Sequence, residues 1–69
     1  MNIEWEEDFE ISVRTDGTAT LISADEKGLR SLAAQLYALA DQPAGSHIHY
    51  DSYNSLEENS SELIIEKRA

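Results

Sequence analysis

The chain has no cysteine at all, so neither a disulfide nor a thiolate metal site is available to it. A small domain without such staples fits a reducing cytoplasm better than an extracellular setting. Proline occurs once and glycine three times, at 17, 28 and 45, so no glycine-rich loop exists to cradle a phosphate. No run approaches the roughly 18 apolar residues that a membrane span requires. The start of the chain lacks the basic-then-apolar order of a signal peptide. Basic residues are also scarce, five against fourteen acidic ones, for a formal net charge of −9. That imbalance repels nucleic acid and anionic membranes and attracts basic surfaces, although acidic charge also serves solubility alone. The 69 residues read as one small domain, 1–69, with an apolar content of 41% and therefore a thin folding balance.

What is present begins with Glu4-Trp5-Glu6-Glu7-Asp8-Phe9-Glu10-Ile11. Between Ile3 and Val13 the odd positions are apolar except Glu7, and the even ones acidic or polar, which predicts a half-buried strand. Glu7 would then mark a bulge or a frayed start. Thr15-Asp16-Gly17 predicts a hairpin turn, with Thr18 to Ile22 as the return strand. Ser23-Ala24-Asp25-Glu26 has the spacing of a capping box, with Ser23 as the cap. Leu29, Leu32, Ala33, Leu36, Leu39 and Ala40 follow at helical spacing through about Asp41, before Pro43 and Gly45 end the helix. Gly28 in the first turn lowers helix propensity and permits close packing.

His47-Ile48-His49-Tyr50-Asp51 alternates again, Ser52–Ser60 reads as a loop with Leu56 tucked beneath it, and Ser61–Arg68 as a last strand. The expected fold is α+β: a four-stranded antiparallel sheet with one helix on one face, in the order β-β-α-β-β. Trp5, Phe9, Ile11, Val13, Ile48, Tyr50, Leu63 and Ile65 would face the helix. The open face would then carry Glu4, Glu6, Asp8 and Glu10, with His47, His49 and Asp51, and Glu62, Ile64, Glu66 and Arg68. Four carboxylates in a row on one face repel one another. A basic partner would relieve that cost and dock on rigid strands.

Three chemistries compete for these residues. His47, His49 and Asp51 point one way along a strand, and with one more carboxylate they form a possible zinc set. The alternative is two exposed histidines titrating beside carboxylates. No nucleophile elbow surrounds Ser60 or Ser61, and no cleft is expected that would split the pKa values of paired carboxylates. Tyr53 is a candidate interface anchor; Tyr37 and Tyr50 fit core positions better. An exposed strand edge would also allow a dimerising module.

Three stretches carry a family resemblance. They are Gly28-Leu29-Arg30-Ser31-Leu32-Ala33, Pro43-Ala44-Gly45-Ser46-His47-Ile48-His49, and Asn54-Ser55-Leu56 through Ser61-Glu62-Leu63-Ile64-Ile65. Together they resemble the bacterial immunity proteins of polymorphic toxin systems, in immunity protein family thirty-two. The resemblance spans roughly the C-terminal two-thirds. It implies a non-enzymatic cytoplasmic protein, with no cofactor, that binds and neutralises a cognate toxin domain. A basic, nuclease-like toxin would suit the acidic face. Candidate contacts on this reading are Glu4, Glu6, Asp8, Glu10, His47, His49, Asp51, Tyr53, Glu62 and Glu66, on a monomer or weak homodimer that binds neither nucleic acid nor membrane.

Overall fold

A computed structural model describes residues 3–69. The elements are β1 (Ile11–Asp16), β2 (Ala19–Ala24), α1 (Glu26–Ala40), β3 (His47–Tyr50) and β4 (Leu63–Glu66). The expected order is therefore observed, but the single four-stranded sheet is not. Two antiparallel two-stranded sheets form instead, β1 with β2 and β3 with β4.

The reason lies along the second edge of β1. The loop between β3 and β4 comes alongside it, and the Glu57 and Ser61 amides donate to the Ile11 and Val13 carbonyls at 2.9 and 2.8 Å. The Val13 amide, however, donates to the Ser60 hydroxyl rather than to a backbone carbonyl. Asn59 between them has φ +67, which breaks the extended run. The two hairpins are thus sutured by a loop, not by a continuous ladder.

The first strand also starts later than the alternation predicts. Residues 3–10 are not a strand: Glu7 and Asp8 form a turn, with Asp8 at φ +58. This segment is a strap laid along α1, and Glu7 belongs to its turn, not to a bulge. The row of four like charges on a sheet face does not exist.

The helix cap is Asp25, two residues beyond the expected Ser23, which lies within β2. An Asp25 side-chain oxygen accepts from the Gly28 amide at 2.7 Å and from the Glu10 amide at 3.2 Å. One carboxylate therefore starts the helix and fixes the strap's entry into β1. Gly28 is required here: a Cβ at this position would lie 2.6 Å from the Glu10 carbonyl oxygen and 2.8 Å from Ile11 Cγ1. The close packing expected of this glycine is present.

The core comprises Ile11, Val13, Leu32, Leu39, Ile48, Tyr50 and Leu56, with Trp5, Phe9, Leu63 and Ile65 against it. All eight residues expected to face the helix are in or against the core, and Leu56 plugs it from the loop. The helix itself is rotated from its apolar stripe. Gly28, Ser31, Leu32, Gln35 and Leu39 are buried, whereas Leu29, Ala33, Leu36 and Ala40 are exposed. Tyr37, expected in the core, is 80% exposed. The strap explains the rotation. Its Glu6 amide donates to Ser31 Oγ at 2.9 Å and its Glu4 carbonyl accepts from Gln35 Nε2 at 2.8 Å. A polar pair on α1 satisfies backbone that no strand partner reaches.

Candidate partner-binding surface

The strap decides where the acidic charge goes. Trp5 and Phe9 turn inward, stacked at 4.4 Å between ring centroids, and Trp5 meets Tyr50 edge-on at 6.0 Å. These aromatics anchor the segment. Glu4, Glu6, Glu7, Asp8 and Glu10 are consequently all exposed. Five of the chain's fourteen acidic residues lie on this one rigidly held strip. Glu7, which breaks the apolar phase in sequence, turns outward with the others.

The second hairpin presents the histidines. Ile48 and Tyr50 point into the core, so His47 and His49 point out. Opposite them in the register stand Glu66 and Ile64. His49 Nε2 lies 3.5 Å from a Glu62 carboxylate oxygen, an exposed contact that strengthens when the ring is protonated. Glu62 precedes β4 rather than lying within it. An open depression of about 750 Å³ separates Ile3, at the beginning of the strap, from His47 and His49. Of the strap, Ile3 lines this depression and the carboxylates do not, whereas His47 and His49 both border it.

Asp51 does not join them. Its side chain accepts from the amides of Tyr53 and Asn54 at 2.9 and 3.0 Å, building a turn. Asn54 answers by accepting from the Asp51 amide and donating to the His49 carbonyl. The turn is over-determined, and it holds Tyr53 98% exposed at its tip. The possible zinc set of His47, His49 and Asp51 is not assembled. Among the described residues no three potential ligands converge.

Two groups with shifted protonation lie elsewhere. Donation from the Gly28 amide, and secondarily from the Glu10 amide, lowers the Asp25 pKa. Burial raises that of the Tyr50 phenol. The first perturbation belongs to the helix cap and the second to burial in the core, and neither group lines the depression. Sequence reasoning missed Ser31 and Gln35, the residues that hold the acidic strap in place. Their signal was faint: two polar residues beside apolar positions of a helix.

The described surface thus combines an exposed acidic strap with a shallow depression bordered by two histidines. The family comparison supplies the identity. Residues 19–68 match the family model described as Immunity protein 32, and the chain belongs to that family. The role of the family is toxin immunity, with a toxin as the partner, and immunity proteins generally act without catalysis. Comparison with curated proteins and with solved structures gives no match. Among the described residues no helix is long and apolar enough to cross a membrane.

Proposed function

We propose that this chain binds and neutralises a cognate toxin domain of a bacterial polymorphic toxin system, acting in the cytoplasm without catalysis or cofactor. The binding surface is the acidic strap from Glu4 to Glu10, extended across the depression to His47, His49, Glu62 and Glu66. The observation that carries this reading is the strap itself. Its five carboxylates are exposed, while its backbone is fixed to Ser31 and Gln35 and its aromatics are packed. A preorganised charged strip loses little conformational entropy on docking. It favours a basic partner, nuclease-like domains included, and disfavours nucleic acid itself. Tyr53 stands ready at the tip of its turn as an aromatic contact.

The test is co-purification with the toxin domain encoded beside this chain, at low and high salt. The wild-type complex should weaken steeply with salt, because exposed charge pairs are screened within roughly 8–10 Å. Replacing Glu6, Asp8 and Glu10 by Gln, Asn and Gln should weaken binding and flatten the salt dependence, with stability preserved or raised. A complex indifferent to all three changes would move the interface to Tyr53. Absence of any complex would overturn the toxin-binding reading.

A further inference from the structure

The outer edge of β2 is a stretch of surface that carries no acidic charge. From Gly17 to Ala24 there is no charged residue and no proline, and all of β2 but Ala24 is exposed. Natural sheets protect a free edge with lysine, proline, bulges or a covering loop. β1 has such a cover in the loop through Ser60, and among the described residues none bonds to the outer edge of β2.

The hairpin register shows which backbone groups are open. Gly17 and Thr18 form a two-residue turn, so Asp16 and Ala19 close it as a hydrogen-bonded pair. Bonded pairs then recur at Arg14 with Leu21 and at Ser12 with Ser23. The Asp25 amide, donating to the Glu10 carbonyl at 3.1 Å, continues this phase. Thr20, Ile22 and Ala24 therefore direct their N–H and C=O groups outward.

Ile22 pairs in register with buried Val13, which places it on the helix side, yet it is 41% exposed. The helix also exposes apolar residues. β1 lies between β2 and the loop through Ser60, and α1 reaches Tyr50 on the loop side through Gln35. Ser31 and Gln35 hold the strap along the same flank. The opposite flank of the helix leaves Leu29 and Leu36 at 55% and 41% exposure.

We propose that this edge pairs with a second copy of this chain, β2 against β2 in antiparallel register about a two-fold axis at Ile22. In that register Thr20 faces Ala24 of the second copy and Ile22 faces itself. The outward amides and carbonyls of all three residues are then satisfied reciprocally, as an isologous contact requires. Asp25 comes opposite Ala19, so no two like charges meet at the seam. This matters for chains that each carry −9. A basic toxin finds no charge on this edge, so the two surfaces serve different partners.

The experiment combines sedimentation equilibrium, from low micromolar to near-millimolar protein, with hydrogen exchange at Thr20, Ile22 and Ala24. Wild type should shift from monomer to dimer, and the three amides should become protected as it does. Ile22→Lys should lose the dimer while retaining the wild-type circular dichroism. Ile64→Lys, on a still more exposed isoleucine of the other hairpin, should retain both. Should Ile22→Lys fail to fold, Thr20→Lys on the same edge takes its place. A monomer at every concentration would overturn the proposal, as would a dimer that survives folded edge variants. Protection of these amides only on addition of the toxin domain would assign the edge to the toxin instead.

Discussion

The Tyr50 hydroxyl donates to Gln35 Oε1 at 2.8 Å, and the amide nitrogen of the same Gln35 donates to the Glu4 carbonyl. One side chain thereby joins the histidine hairpin to the acidic strap through a helix. Both Tyr50 and Gln35 are at most 2% exposed. Tyr50→Phe leaves the Gln35 oxygen buried without a donor, which costs about 1–3 kcal/mol. Urea unfolding should register that loss. A cost no larger than that of an exposed control such as Tyr53→Phe would deny the bond its role.

Gly28→Ala should also destabilise. Helix propensity alone predicts a gain of roughly 1 kcal/mol. The added methyl group would press on the Glu10 carbonyl and on Ile11, and overpacking of this kind costs about 1–3 kcal/mol. The carbonyl belongs to backbone fixed at both ends, so steric cost should win. A raised urea midpoint would show that the strap yields freely.

Asp8 at φ +58 predicts a contrast between two small substitutions. Asp8→Ala places an ordinary Cβ in the left-handed region and should cost about 1 kcal/mol. Asp8→Gly removes that strain while raising the entropy of the unfolded chain, and should be close to neutral. Both remove the same charge, so the difference between them isolates the turn. Equal midpoints would place the conformational demand elsewhere.

The lowered pKa of Asp25 gives a pH dependence with a definite sign. The folded state favours the carboxylate, so its stabilisation is fully present above the usual aspartate value of about 4. It is lost as pH falls through the lower folded value. An asparagine in its place would still cap the helix but would not titrate. Thermal unfolding of wild type should therefore decline more steeply below about pH 4 than that of Asp25→Asn. Parallel curves would leave the acid sensitivity to other carboxylates.

The raised pKa of the Tyr50 phenol acts at the other end of the scale. Its folded value lies above the unfolded one, so its contribution is complete below about pH 10 and fades as pH rises further. Tyr50→Phe should remove this alkaline decline, which difference spectroscopy of unfolding at high pH can follow.

Periodicity made the hairpins, the helix and nearly every core residue legible in the sequence, because burial imposes its period whatever the partners. Ile11 to Val13 and Ile48 to Tyr50 are examples. The same alternation misled at residues 3–10. Trp5 and Phe9 alternate with acids there because an extended strap packed on a helix also buries every second side chain of part of its length. A ladder and a strap differ only in where their amides bond, and Ser31 and Gln35 lie too far away in sequence to reveal it. For the candidate surface, the exposure of His47 and His49 followed from strand phase. The diversion of Asp51 into a turn rested on local side-chain bonding to Tyr53 and Asn54, which composition does not encode.

The strap is fastened through main-chain atoms, the Glu4 carbonyl and the Glu6 amide, and not through its acidic side chains. Attachment and display are therefore chemically separate. Glu4, Glu6, Glu7 and Asp8 can each be exchanged without loosening the two bonds that hold the segment to α1, so the strip can drift in sequence while its path stays constant. Such a layout lets a lineage alter the strip one side chain at a time, without first having to rebuild the molecule that carries it.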